Sequence, residues 1–330
     1  MNLLNGNIRP IYFKYFSAAF GSAMITSVYS LVDMAMAGQY QGPDGTAALA
    51  VVAPVWNIIY SLGLLMGIGG SVIFSTVRGQ ETQKNGNENE YFTVAVIGSV
   101  ILAFVSWAAI LFFDKPILLF FGADSSLLSL AESYLTPVKA AIPLFLLNQM
   151  LAAFLRNDNH PELATAGVLA GGLFNVVGDY VFVFIFDMGI LGAGLATAVG
   201  SGISFAVMLS HFWSEKNTLL LRKPTGIVGK LREISVTGFP TFFIDIAMGI
   251  LTVLFNRQIM KYSGSNALAV YGPVINVSTI VQCALIVWGR LHSPLFLSIL
   301  AQRNGGVLKK LCGMPFILLE RSVYFGLPSV

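Results

Sequence analysis

Charge is scarce in this sequence. Its 330 residues hold 19 Lys and Arg and 16 Asp and Glu, together 11% of the chain, where a soluble domain carries roughly 25%. That shortage excludes an ordinary soluble enzyme. The basic residues are dispersed, and a net charge of +3 leaves no cationic, aromatic-laced patch for nucleic acid. Cysteine is nearly absent: Cys283 and Cys312 lie far apart, so neither a disulfide framework nor a thiolate metal site follows. The chain has three histidines but no H-E-x-x-H helix, no Ser-His-Asp or Cys-His constellation and no phosphate loop, so no enzyme is expected. Gly67-Ile-Gly69-Gly70 sits inside an apolar run without a following βαβ pattern, which excludes a dinucleotide site.

What is abundant is apolar surface. Hydrophobic residues make up 55% of the chain and mean hydropathy is +0.75. They come in blocks of the length needed to span a bilayer, about 20 residues. Spans are expected over 12–36, 47–75, 91–113, 137–155, 163–186, 191–213, 234–258 and 267–287, separated by polar punctuation such as QYQGPDG, RGQETQKNGNENE, RNDNHPE and KYSGSN. The first block is too long for a cleavable signal and lacks a small-residue cleavage site, so it reads as the first span. Lys and Arg set the orientation. With the N-terminus inside, ten of them fall on inner loops against four outside, up to residue 283. His211 is placed at the inner membrane boundary, its ring snorkelling to water, and His160 in a polar loop.

Residues 48–57, ALAVVAPVWN, match residues 267–276, ALAVYGPVIN, at seven of ten positions, an offset of 219. The match includes Pro54/Pro273 and Asn57/Asn276, which hydrophobicity alone does not demand. Repeated halves are a common construction in transporters, with the substrate site between them. An all-α, polytopic membrane helix bundle is therefore expected. It has a six-helix lobe over 1–213, an inner inter-lobe loop over 214–233 and two helices of a second, parallel copy over 234–287. A full second copy would end well beyond residue 330. After Cys283 charges and Gly/Pro interrupt every candidate span, and 288–330 reads as an aberrant tail. Codons begun one base early from Val287/Trp288 onwards permit V-G-Q-A-A-Q-P-I-I-S-I-N-F-G-A, which points to a shifted reading frame.

That hidden peptide resembles the multidrug and toxic compound extrusion (MATE) family, and visible motifs do so independently. Leu31-Val-Asp33-Met-Ala-Met-Ala-Gly38 is similar to its first-helix motif. Leu147-Asn148-Gln149 with Ala153-Phe-Leu-Arg156 resembles its fourth helix and following loop. Asn175-Val-Val-Gly-Asp179, Met188-Gly189 and Gly192-Ala-Gly-Leu-Ala-Thr197 are similar to helices five and six. The resemblance covers about residues 10–283. It implies a twelve-helix, two-lobed fold around a central cavity and export of cationic or amphipathic drugs against inward Na⁺ or H⁺.

Carboxylates inside a bilayer cost about 2.5–3.5 kcal/mol on insertion scales and mark functional sites by default. Asp33, Asp179 and Asp245 are the candidates. Asn175 lies one turn before Asp179 and shares its helix face. Asp179 and Thr197 stand equally far from the turn centred on Met188, about 13 Å at helical rise, and so at one depth. Two carboxylates, an amide and a hydroxyl supply hard oxygens suited to a small cation. The resemblance assigns Asp33, Asn175, Asp179 and Thr197 to a cation-coupling site, for Na⁺ or a proton. Asn148, Gln149 and Asp245 are candidates for the substrate cavity, with packing contacts as the competing role for the first two and Arg257 as a competing partner for Asp245. Gly167 and Gly171 form a G-x-x-x-G step expected to bring helices close.

The expected function is a monomeric, plasma-membrane drug antiporter with no cofactor beyond its coupling ion, working among membrane lipids on small cationic molecules and not on nucleic acid. A lipid-linked oligosaccharide flippase would carry basic residues inside its spans, and here the intramembrane charge is mostly acidic. An inactive truncated fragment is the other alternative, raised by the repeat arithmetic.

Overall fold

The computed structural model describes the backbone of residues 8–80, 87–158 and 160–301, and within these the side chains of 21, 25, 27–79, 87–158 and 160–278. Among the described residues the regular structure is entirely helical. Seven α-helices follow in order: α1 (Ile8–Gln41), α2 (Pro43–Gln80), α3 (Glu88–Phe120), α4 (Ser125–Asn157), α5 (Pro161–Asp179), α6 (Gly189–Leu209) and α7 (Ile227–Ala301). One turn of π-helix, Tyr180–Ile185, continues α5, and a 3₁₀ turn, Ser210–Trp213, continues α6. Six of the described helical stretches are long and apolar enough to cross a membrane. The protein is a polytopic all-α membrane protein.

The expected spans fall inside these helices, but the helices run further than the apolar blocks. The third span is expected to end at 113, yet α3 passes through Asp114 and Lys115 and on to Phe120, bending where Phe113 leaves helical geometry (φ −125°, ψ 21°). Their charges are met by α4: Lys139 binds Asp114, and Glu132 lies 3.5 Å from Lys115. Neutralised in pairs, these residues do not stop the helix. Asp124 then caps α4 through the backbone N–H groups of Ser126 and Leu127, satisfying donors that an open helix end leaves free.

The seventh and eighth spans are continuous in hydrogen-bonded helix except at Gly264, whose φ of +75° breaks α7 within the expected KYSGSN loop. The α7 backbone stays helical past 287 to Ala301, beyond the point where Gly, Pro and charge were expected to end it. The rest of the 288–330 segment lies outside the described residues.

α4 packs on α2, α3, α5 and α6. Its Leu127, Ala131, Leu135, Val138, Ile142 and Leu146 bury against Ala48, Val51, Val52, Val55 and Ile59 of α2. α7 lies along the other side of α2, tied by Asn256 Nδ2 donating to the Ala50 carbonyl at 2.9 Å. Small residues set the closest approaches. On α5, Gly171 faces Gly200 of α6 so tightly that a Cβ on Gly171 would stand 2.4 Å from the Gly200 carbonyl oxygen. The expected G-x-x-x-G step is thus part of the α5–α6 contact.

The segment between α6 and α7 is strapped to the first lobe rather than slack. Leu219 is buried beside Phe74, Phe92 and Phe154. The Leu220 N–H donates to Asn89 Oδ1, that of Arg222 to Thr93 Oγ1 and that of Thr225 to Glu90 Oε2, at 2.9, 2.9 and 2.7 Å. Lys230, in the first turn of α7, closes on the same Glu90 at 2.8 Å. The expected loop of 214–233 therefore ends earlier, at 226.

Candidate functional site

Four helices deliver polar side chains to one buried point. Asp33 comes from α1, Tyr134 from α4, Asn175 and Asp179 from α5, and Thr197 from α6; all are buried, Asp179 completely. Asp179 is the last residue of α5 before the π-helical turn. Such turns recur at functional sites. α6 approaches α4 closely because Gly194 has no side chain: a Cβ there would lie 2.2 Å from the Tyr134 carbonyl oxygen. Thr197, one turn further, is thereby brought to the Tyr134 hydroxyl.

The hydrogen bonds run in one direction. Tyr134 Oη donates to Asp33 Oδ2 at 2.8 Å. Its single proton is then spent, so at 3.4 Å it accepts from Thr197 Oγ1. Thr197 Oγ1 in turn accepts from Asn175 Nδ2 at 3.0 Å, and the same amide reaches Asp179 Oδ1 at 3.5 Å. Every donor of the network is committed. Three buried oxygens are left with no donor: Asp33 Oδ1, Asn175 Oδ1 and Asp179 Oδ2. Among the described residues neither aspartate forms a salt bridge. Buried charge without a partner is strongly unfavourable, and these donor-free oxygens are of the kind that a proton or a small hard cation complements. Among the described residues no group of three His, Cys, Asp or Glu is placed to hold a metal ion; the donor set here is two carboxylates with amide and hydroxyl oxygens.

The four residues expected at a cation site are thus brought together. Tyr134 was not anticipated. It lies in the mixed stretch AESYLTPVK, ahead of the expected fourth span, and only the α4–α6 contact reveals it.

Asp33, Tyr134 and Thr197 also form part of the wall of a cavity of about 280 Å³ between α1, α2, α4, α6 and α7. Its other walls include Trp56, Asn57 and Tyr60 of α2 and Asn256, Tyr271 and Asn276 of α7. Trp56 packs edge-on against Phe145 with centroids 4.5 Å apart, and the Tyr29 and Tyr60 hydroxyls meet at 3.1 Å.

The three residues expected to line a substrate cavity do not line this one. Asn148 is buried and donates to the Ser201 carbonyl at 3.0 Å, a bond between α4 and α6. Gln149 packs by its Cβ against Gly63 of α2. Asp245 is half-buried on α7.

A second polar cluster went unread in the sequence. Asp158 is buried and accepts from Arg78 Nη1 at 3.0 Å, from the Thr218 N–H at 3.3 Å and from the Thr218 hydroxyl. His211 is buried too, its Nε2 2.8 Å from Asp158 Oδ2. It does not snorkel: pairing with a buried carboxylate holds it inside. Its ring lies 4.7 Å from that of His160, which is pushed below the usual histidine value by burial and by His211. The cluster pins the inter-lobe segment to the ends of α2 and α4.

Comparison with known proteins places this geometry. The MatE family profile matches residues 18–181. The multidrug export protein MepA of Staphylococcus saprophyticus is 25% identical over 254 residues, 76% of this chain and 55% of that protein. MepA of Staphylococcus aureus strain MSSA476 is 25% identical over 253 residues, with the same coverage. The chain thus spans about 55% of the length of these relatives. Among solved structures, the MATE multidrug transporter DinF-BH in complex with R6G superimposes with a TM-score of 0.81 at 20% identity, over 88% of this chain and 65% of that one. An outward-facing multidrug resistance MATE family transporter of the MOP superfamily gives 0.80 at 19% identity, over 93% and 68%. Through the profile match over residues 18–181 and a helical fold shared with the solved MATE transporters, the chain is similar to the MatE family.

Proposed function

We propose that this protein exports small cationic or amphipathic molecules across the plasma membrane in exchange for Na⁺ or H⁺. In this reading Asp33, Asn175, Asp179 and Thr197 form the coupling site and Tyr134 orders it. One observation carries the reading: Asp33 belongs at once to the donor-free carboxylate cluster and to the wall of the cavity. A cation or proton on the cluster changes the charge that the cavity presents to a ligand. Coupling then follows from differential affinity: each ligand favours the conformational state that binds it better. The relatives' names, multidrug export protein and MATE multidrug transporter, support the same class. The excess of Lys and Arg on 214–233 and the other inner loops supports an N-terminus in the cytoplasm. Asn148, Gln149 and Asp245 act in this reading outside the described cavity, the first two as contacts between helices.

The test is uptake of rhodamine 6G by proteoliposomes holding the full chain. Either an imposed Na⁺ gradient or an imposed pH gradient is expected to drive it, and the one that does identifies the coupling ion. Asp33→Asn and Asp179→Asn are expected to abolish that dependence. Gradient-driven transport surviving in both variants would overturn the assignment.

A further inference from the structure

The cavity is built from both copies of the internal repeat. The offset of 219 residues relates Asn57 to Asn276 and Asp33 to Thr252, and all four line the same cavity. The Asn57 side chain makes no hydrogen bond among the described residues; a Cβ on Gly249 would stand 3.3 Å from its Cβ, so the glycine leaves that side chain room beside α7. Asn276 spends its amide N–H groups on its own helix and neighbour, the Gly272 carbonyl at 3.4 Å and Met34 Sδ at 3.2 Å. Asn256 shares the wall and is wholly buried. Its Nδ2 is committed to the Ala50 carbonyl, while its Oδ1 has no donor. Asn276 thus has both of its amide N–H groups engaged inside the protein, and Asn256 one of its two. Asn256, whose Oδ1 has no donor, stands in the same wall as Asp33, whose Oδ1 also has none.

A buried acceptor left without a donor costs about 1–3 kcal/mol, a cost that a ligand N–H removes and a methyl group does not. We propose that this cavity selects cations bearing N–H groups over quaternary ammonium ions, with Asn256 accepting an N–H and the repeat-related Asn57 and Asn276 holding the ligand from the two halves. Trp56 on the same wall supplies a face for an aromatic ring. This selectivity rests on the transport reading and refines the substrate class of the same cavity.

The test is a matched pair of three-ring cations: proflavine, which carries N–H donors, and N-methylacridinium, which has none. Their fluorescence anisotropy is titrated with the purified full-length chain in nanodiscs. Proflavine is expected to bind about tenfold tighter, equivalent to about 1.4 kcal/mol. Asn256→Leu is expected to bring the ratio close to one by weakening proflavine alone. Asn57→Leu and Asn276→Leu, at positions that are not fully buried, are expected to reduce the ratio as well, and they keep the test sound if Asn256→Leu does not fold. Equal affinities, or a ratio unchanged in every folded variant, would overturn the selectivity while leaving export intact. Failure of both cations to bind would overturn the transport reading, and this inference with it.

Discussion

Tyr134 donates its hydroxyl to Asp33 at 2.8 Å, joining α4 to α1 across 101 positions of sequence. The bond fixes one carboxylate oxygen and leaves the other, Oδ1, without a donor. It also makes Tyr134 an acceptor toward Thr197, which orients the rest of the network as far as Asp179. One phenol therefore sets the direction of hydrogen bonding at the whole cluster.

Tyr134→Phe keeps the ring and removes that bond. A hydrogen bond to a charged group contributes about 1.5–3 kcal/mol, so cation affinity at the cluster is expected to change by about 10- to 100-fold. The check is the Na⁺ or pH dependence of rhodamine 6G transport, alongside thermal unfolding. A normal unfolding temperature with an unchanged cation response would count against the role given to Tyr134.

Asp158→Ala is expected to destabilise the first lobe. It leaves Arg78 and His211 facing a buried void where they had a shared carboxylate, and breaking a buried pair costs about 3–5 kcal/mol. The inter-lobe segment should loosen with it, because Thr218 loses its acceptor. Hydrogen exchange at residues 216–222 measures this directly; unchanged protection there would show that Leu219 and the bonds to α3 hold the segment without Asp158.

Gly194→Ala places a methyl group against the Tyr134 backbone oxygen, at 2.2 Å if nothing moves. Backbone cannot rotate aside as a side chain does, so α6 must shift from α4. Overpacking of this kind costs about 1–3 kcal/mol. Transport is expected to fall together with stability, since the shift separates Thr197 from Tyr134; a variant as stable as the parent would contradict the contact.

Asp124→Ala removes the cap of α4, with an expected loss of about 1 kcal/mol. Hydrogen bonds from Leu127 and Ser126 hold the Asp124 carboxyl below its usual range. The sign follows from linkage: a depressed carboxylate stabilises the fold above its unfolded pKa, and that contribution is lost as pH falls through the folded value. The parent and Asp124→Ala should therefore differ in unfolding temperature at neutral pH and converge in acid. A difference that persists at low pH would assign the effect to packing.

Much of the fold was readable from the sequence because lipid imposes a simple rule: backbone groups must be satisfied within each span, so long apolar blocks are helices. The spans, the scarcity of charge and the internal repeat followed from residue type and spacing; the grouping of Asp33, Asn175, Asp179 and Thr197 is what the family resemblance implied. Helical periodicity alone put Asn175 and Asp179 on one face. What composition could not determine was where helices continue and which side chains converge. Asp114 and Lys115 looked like a loop because their partners on α4 are invisible in one dimension. His211 looked exposed because its carboxylate, Asp158, is 53 positions away. Between the cavity and packing roles open to Asn148 the sequence could not choose, and it stands between α4 and α6, while Asn57 and Asn276, noticed only as a repeat, line the cavity. Tyr134 became visible only when Gly194 let α6 close on α4. Chain spacing determines depth and face within a helix; which faces meet is decided by packing between helices, and it is there that this sequence acquires its carboxylate cluster and its cavity.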